Sequence, residues 1–203
     1  MLIALYKPFG VLCQFSTTPA APGPTLADYV SQPDVYPAGR LDKNSEGLLL
    51  LTDDGRLQAQ ISDPKNHTSK EYWVQLEKPA GGQFNASISA GLCQSLCTGI
   101  TLKDGHAAAT GAWPLDDLES QAQIARLGEH PGRLPPHRDH ASRWFALTLT
   151  SGRNHIVRRL CAGLGHPVLR LVRTRIGPIE LGALQAGESR SERWERRWAD
   201  THD

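Results

Sequence analysis

The sequence feature that most constrains the fold is a run of four leucines, Leu48–Leu51, which lies between Gly47 and Thr52. An apolar run without polar alternation is typical of a strand buried on both faces, because an exposed face would carry a polar residue at every second position. Asp54 and Gly55 follow the run and predict a turn at its end. We therefore expect an interior strand that is closed by a tight turn.

The segment before this strand places a carboxylate in a loop. Asp42 lies between Gly39 and Gly47, and residues 44–46 (Asn-Ser-Glu) are turn and cap formers. Local hydrogen bonds of these residues to the backbone would orient the Asp42 side chain. Taken alone, the spacing Asp-x-x-Ser-x-Gly is more typical of an aspartate that forms a turn than of a catalytic one.

Length and composition narrow the class of protein. The 203 residues are enough for one large domain or for two small lobes around one cleft, and the net charge of +1 does not by itself indicate a nucleic-acid partner. The four cysteines form no paired Cys-x-x-Cys motif, which favours buried thiols in a reducing cytoplasm. Neither a signal peptide nor a membrane-spanning run is visible in the sequence, so we expect a soluble cytoplasmic protein without membrane contact.

The loop and strand together are more specific than either alone. Residues 39–55 read Gly-Arg-Leu-Asp-x-x-Ser-Glu-Gly-Leu-Leu-Leu-Leu-Thr-x-Asp-Gly. This string resembles the signature of the pseudouridine synthases that act on ribosomal RNA, and in that family the aspartate, here Asp42, is the catalytic residue. The resemblance also implies that Arg40 lies in the site, where the equivalent residue of some relatives moves with the flipped base.

Two later segments resemble further motifs of the same family. Lys70-Glu71-Tyr72 resembles a Lys-x-Tyr motif in which the tyrosine, here Tyr72, stacks on the target base. Residues 152–160 resemble a motif in which an arginine, here Arg158, meets the catalytic carboxylate, and such a cation would favour the ionised acid. Ile156 stands where the family has Gln, which removes a polar side chain expected near the substrate, and Leu160 replaces Met.

Positive charge is concentrated towards the end of the chain. Residues 151–179 contain six arginines and no aspartate or glutamate. Guanidinium groups bind phosphate through two hydrogen bonds and stack on unpaired bases, although arginines at a helix end are often merely solvated. We expect an RNA-binding surface built from Lys7, Arg40, Arg153, Asn154, His155, Arg159, Arg173 and Arg175.

The resemblance implies a fold and a domain organisation. The expected class is α+β, the pseudouridine synthase fold, with a mixed and mostly antiparallel sheet in two lobes and the active-site cleft between them. We expect residues 1–187 to form the catalytic domain and residues 188–203 to form a tail. Lys7-Pro8-Phe9-Gly10 resembles the segment that opens the catalytic domain, so we expect no preceding RNA-binding S4 module.

Hydrophobic periodicity and the positions of glycine and proline predict the individual helices and strands. Strands are expected at residues 2–6, 11–15, 70–76, 99–102, 144–150 and 168–172. Helices are expected at residues 25–30, 56–62, 80–91 and 116–126, after residue 153, and around Trp194 and Trp198. The proline-rich segment 129–143 reads as an irregular loop, in which His130, His137 and His140 are more typical of a solvated or RNA-facing loop than of a metal site.

The implied reaction is the isomerisation of a uridine in RNA, with large-subunit (23S) rRNA or its precursor particle as the partner of a monomeric enzyme. Such an isomerisation needs no cofactor and no metal. Asp42 would act either as a nucleophile at the sugar or as a base, and the sequence leaves both open. Two alternatives are a non-catalytic rRNA-binding assembly factor on the same fold and a nucleosidase or glycosidase that uses Glu46 as its second carboxylate.

Overall fold

The computed structural model describes residues 1–20, 22–77, 84–132 and 142–194. The chain divides into two compact units, one formed by Met1–Lys70 and Val172–Asp203 and the other by Glu71–Leu171. The predicted boundary between a catalytic domain and a tail at residue 188 stays a prediction. In the described residues, no helix has the length and apolar character needed to cross a membrane.

The first unit is built around the predicted interior strand. Its strands are β1 (Leu2–Lys7), β2 (Tyr36–Pro37), β3 (Glu46–Thr52), β10 (Ile179–Glu180), β11 (Ser189–Ser191) and the end of β9 (Val168–Ile176). They lie in the order β11-β1-β3-β9, with β2 also paired to β3 and β10 to β9. All seven residues of β3 are buried, which confirms the expectation drawn from the leucine run.

Strand β3 is antiparallel to β1 from Gly47 to Thr52 and parallel to β9 near its start. Gly47 lies opposite Lys7 of β1 and opposite Arg173 of β9. The approach to β9 is so close that a Cβ atom on Gly47 would lie 2.3 Å from the carbonyl oxygen of Arg173, and φ at Gly47 is +100°. Only glycine fits both requirements.

The turn predicted at Asp54-Gly55 is instead the start of a helix. Helix α1 spans Gly55–Ser62, and Asp54 is its N-cap, because its carboxylate accepts hydrogen bonds from the backbone N–H groups of Arg56 and Leu57. An aspartate satisfies free N–H groups at a helix start as readily as in a turn. The predicted helix at residues 56–62 is confirmed.

Residues 11–15 do not form the predicted strand. Within them, Leu12 makes an isolated bridge to Thr25, and the buried side chains Val11 and Cys13 join a hydrophobic cluster of the first unit. The helix predicted at 25–30 is a single 3-10 turn, Leu26–Asp28, whose Asp28 carboxylate accepts a hydrogen bond from the Thr25 N–H group at 2.7 Å.

The second unit contains most of the helices. Its strands are β4 (Lys70–Glu77, which begins in the first unit), β5 (Ile100–Leu102), β6 (Gly105–Ala107), β7 (Gly111–Pro114), β8 (Ser142–Leu149) and the start of β9. Strands β4, β8 and β7 are neighbours in that order, and β5 and β6 form a separate hairpin. Its helices are α2 (Ala86–Thr98), α3 (Leu118–Arg126) and α4 (Ile156–Gly163).

The α+β class and the mostly antiparallel pairing are confirmed, whereas some element bounds are wrong. Helix α2 runs through Gly91 and ends at Thr98, seven residues after its predicted end at residue 91. The tail starts with β11, which pairs with β1, and residues 192–194 are not helical. The positions of Trp198, His137 and His140 lie outside the described residues.

Candidate active site

The Asp42 loop occupies residues 40–45 of the first unit, directly before β3. Leu41 is buried and anchors the loop, whereas Asp42 is half-buried. The backbone N–H of Ser45 donates to the Asp42 carbonyl oxygen at 3.1 Å, which closes the turn that the sequence predicts. The loop therefore places the Asp42 carboxylate shortly before the start of a fully buried strand.

Lys7 fixes this loop from inside the unit. Its side chain is completely buried, and its Nζ atom donates to the carbonyl oxygens of Pro8 at 2.8 Å, Val11 at 2.9 Å and Lys43 at 3.5 Å. The Lys43 carbonyl oxygen also accepts from the N–H group of Gly10 at 2.8 Å. The predicted RNA contact of Lys7 is wrong, because its three donors are directed at backbone carbonyls in the interior.

The pKa of Lys7 is lowered from 10.5 to about 8, mainly by burial and with a smaller contribution from the nearby Arg173 cation. The negative charges of Glu46 and Asp42 act in the opposite direction and favour the protonated lysine. Glu46 itself is 3% exposed and accepts a hydrogen bond from the Tyr6 hydroxyl at 3.4 Å.

Arg173 is the second buried cation near this loop. Its side chain is 2% exposed, its Nε atom donates to the Leu48 carbonyl oxygen at 2.7 Å, and its Nη1 atom donates to the Arg40 carbonyl oxygen at 3.3 Å. The predicted RNA contact of Arg173 is therefore wrong as well. Arg40 is exposed, and its predicted role stays a prediction.

The second unit carries the other two residues of the predicted catalytic set. Tyr72 is buried in β4 at 8% exposure. Arg158 lies in the first turn of α4, where its Nη1 atom donates to the Val168 carbonyl oxygen at 3.2 Å. Asp42 belongs to the first unit, so the meeting of all three side chains around one uridine stays a prediction.

The segment before α4 is exposed at Asn154 and His155, as the predicted RNA contacts require. His155 has φ of +50° and starts the helix without a side-chain capping bond. Ile156 is 5% exposed and Leu160 is fully buried, so both departures from the family motif are core residues. The side chain of Ile156 is apolar and buried, so it offers no polar contact of the kind that the glutamine of the family motif implies.

Asp104 lies outside the arginine-rich segment 151–179 and binds two arginines of that segment. Asp104, in the turn of the β5–β6 hairpin, accepts hydrogen bonds from Arg153 at 3.3 Å and from both terminal nitrogens of Arg159. The hydrogen bond from Arg159 contributes most to lowering the pKa of Asp104 to about 2. Arg153 also donates to the backbone carbonyl oxygen of His106 at 2.6 Å, so it ties the hairpin to the start of α4.

The other arginines of the segment also have partners within the protein. Arg170 is 4% exposed and donates to the carbonyl oxygens of Leu127 and Gly128. Arg175 is exposed and pairs with Glu180 at 2.9 Å. Asp104 and Glu180, which lie outside the segment 151–179, therefore offset part of its positive charge, and its role as an RNA-binding surface stays a prediction.

His130, the described member of the predicted histidine loop, makes ordinary structural contacts. Its Nε2 atom lies 3.1 Å from the Leu169 carbonyl oxygen, and its Nδ1 atom accepts from the Gly132 N–H group at 2.8 Å. Across the described ranges, no group of three or more His, Cys, Asp or Glu residues has the geometry of a metal site.

Comparisons with known proteins give the family. The model of the family described as RNA pseudouridylate synthase matches residues 1–163. Ribosomal large subunit pseudouridine synthase E of Xanthomonas campestris is 42% identical over 94% of each chain, and ribosomal small subunit pseudouridine synthase A of Vibrio vulnificus is 32% identical over 93% of this chain and 69% of its own.

A solved structure agrees with these sequence matches. The crystal structure of a pseudouridylate synthase superposes with a TM-score of 0.65 at 30% identity, covering 93% of this chain and 68% of that one. The family match includes the Asp42 loop, Tyr72 and Arg158. The chain therefore belongs to the RNA pseudouridine synthase family of isomerases.

Proposed function

We propose that this protein isomerises a uridine of large-subunit rRNA to pseudouridine, with Asp42 as the catalytic carboxylate. The observation that carries the choice of substrate is the 42% identity, over nearly the full length of both chains, to a synthase named for the large ribosomal subunit. The relative named for the small subunit is only 32% identical. The precursor particle, a monomeric state and a cytoplasmic location remain predictions.

The reaction rearranges atoms within one nucleotide. The N1–C1′ bond breaks, the base rotates, C5 bonds to C1′, and the proton on C5 is released while N1 becomes protonated. Nothing is oxidised and no group is transferred to another molecule, so acid–base or nucleophilic chemistry by a carboxylate is sufficient. Asp42 serves either as the nucleophile at the sugar or as the base that removes a sugar proton.

The geometry of the first unit supports this role for Asp42. The loop is fixed by the Ser45 N–H and by the hydrogen bonds to the Lys43 carbonyl oxygen, and the carboxylate is half-buried near the Lys7 cation. A positioned anion avoids reorganisation when it meets the flipped base. In the second unit, Tyr72 would stack on that base and Arg158 would pair with the carboxylate. Extrusion of the base costs a few kcal/mol, which stacking offsets.

The test is release of tritium from rRNA labelled at C5 of uracil. We expect release from large-subunit rRNA and not from small-subunit rRNA with the wild type, and none with Asp42→Asn. Asp34→Asn is a matched control, since Asp34 is an exposed aspartate in a loop of the same unit. Free uracil would indicate a nucleosidase, and RNA binding without release would indicate a non-catalytic factor.

A further inference from the structure

We infer that Arg173 is a positioning residue for Asp42: it holds both ends of the catalytic loop from inside the protein. The inference rests on the proposed catalytic role of Asp42. The sequence favours a phosphate contact for this arginine, but its 2% exposure leaves the guanidinium group inside the first unit.

The contacts of the guanidinium group define its role. Nη1 donates to the carbonyl oxygen of Arg40, two residues before Asp42, and Nε donates to the carbonyl oxygen of Leu48, just after the loop enters β3. One planar group therefore joins the first residue of the loop to strand β3, which follows the loop. A lysine ammonium has no such fixed pair of donor directions, so it would not hold both carbonyls in the same relative position.

The backbone fixes where this arginine lies. Residue 173 pairs with Gly47 in the parallel β3–β9 contact, where a Cβ atom on Gly47 would lie 2.3 Å from the Arg173 carbonyl oxygen. The backbone of Arg173 therefore cannot move away from the loop without breaking the pairing of β3 with β9. Lys7 and Gly10 hold the Lys43 carbonyl oxygen, so Asp42 lies between two fixed backbone positions.

The charge of Arg173 supports a role beyond packing. Its cation lowers the pKa of both Lys7 and Lys70, so Arg173 repels each of these two buried lysines. Such repulsion opposes folding, and a neutral donor could satisfy two carbonyls at lower cost. Within the described residues, the Nη2 atom of Arg173 is buried and has no hydrogen-bond partner. An arrangement that disfavours folding in this way is typical of a functional site.

The test compares Arg173→Lys with Arg56→Lys, the same substitution at an exposed arginine in helix α1 of the same unit. The readouts are the single-turnover rate of tritium release, the Kd for rRNA, and amide hydrogen exchange of the peptide covering residues 40–48. For Arg173→Lys we expect a rate lower by about 10–100-fold, a Kd within about twofold of wild type, and faster exchange in this peptide. Arg56→Lys should leave the rate and the exchange unchanged.

A purely structural role would lower the melting temperature without lowering the rate at temperatures where the protein is fully folded. If Arg173→Lys does not fold, an ester in place of the amide between Arg40 and Leu41 weakens the same carbonyl acceptor and should lower the rate in the same way. A weaker Kd at an unchanged rate would overturn the inference in favour of an RNA contact. Wild-type rate and exchange would overturn it as well.

The experiments can disprove the catalytic role of Asp42 and the positioning role of Arg173 independently of each other. If Asp42→Asn is active, Asp42 is not the catalyst, whereas the exchange of residues 40–48 in Arg173→Lys still reports whether Arg173 holds the loop. If Asp42→Asn is inactive and Arg173→Lys has the wild-type rate, the positioning role alone is wrong.

Discussion

At the scale of single residues, the unexpected feature is the set of buried cations in the first unit. Lys7, Lys70 and Arg173 are each at most 8% exposed. Lysine and arginine are almost never fully buried unless they are paired, so the sequence favours surface positions, and Lys7 and Arg173 are predicted to contact RNA. Lys7 and Arg173 lie opposite Gly47 of β3 in the pairing with β1 and β9, and no local pattern in the sequence reveals that pairing.

The burial of Lys70 has a measurable consequence for stability. Desolvation, with a smaller contribution from Arg173, lowers its pKa from 10.5 to about 8. Between these two pH values the unfolded chain binds more protons than the folded one, so the free energy of unfolding contributed by this group rises with pH. Relative to Lys70→Met, the wild type should gain roughly 3 kcal/mol between pH 7 and pH 10.5.

Urea unfolding of both proteins across this pH range measures the difference. Lys65→Met is the control, because Lys65 is exposed in the same unit and its removal should leave the pH dependence unchanged. A difference between wild type and Lys70→Met that stays constant with pH would show that Lys70 keeps an ordinary pKa in the folded protein.

At the scale of elements, helix α2 shows why a helix end is hard to read from sequence. Gly91 and Gly99 are both plausible stop signals, and the helix passes the first and ends before the second. Gly91 is exposed with open space around its Cα atom, whereas Gly99 has φ of +78° and lies against the Ala107 carbonyl oxygen. The tertiary contact with β6 decides which glycine ends the helix.

Substitution by alanine should change the free energy of unfolding in opposite directions at Gly91 and at Gly99. Gly91→Ala should stabilise the protein by up to about 1 kcal/mol, since alanine is the better helix former. Gly99→Ala should destabilise it by about 2 kcal/mol or more, because the new Cβ would lie 2.2 Å from the Ala107 carbonyl oxygen at a positive φ. Thermal or urea unfolding measures both; equal effects would mean that α2 does not end at Thr98.

Elements with a strong internal pattern are the ones the sequence predicts well. The unbroken leucines define β3, and the string around Asp42 defines the loop and the family. The segment 11–15 fails because its hydrophobic residues serve a core cluster without a neighbouring strand along their length. Sequence reasoning likewise misses Asp104, since a turn aspartate about 50 residues before Arg153 and Arg159 carries no local sign of its partners.

At the scale of the whole molecule, charge is nearly balanced, and the arginines of the segment 151–179 have partners within the protein. The net charge is +1, and every arginine of the segment 151–179 has a hydrogen-bond or ion-pair partner within the protein. Partners in the protein reduce the number of cations available to replace counterions on RNA. Recognition by this enzyme should therefore depend less on phosphate neutralisation than its arginine content suggests.

The salt dependence of RNA binding tests this directly. Six free arginines would give a slope of log K against log salt of about −4 to −5, whereas we expect a slope smaller in magnitude than about 4 for the inactive Asp42→Asn protein. Adding Asp104→Asn to that protein releases Arg153 and Arg159 from their acid and should steepen the slope by about 1 to 2. Adding Asp34→Asn, which removes the same charge from an exposed loop, should leave the slope unchanged. Fluorescence anisotropy with labelled rRNA fragments between low and moderate salt gives all three slopes, and an identical slope for the Asp104 variant would show that the hairpin does not restrain these arginines.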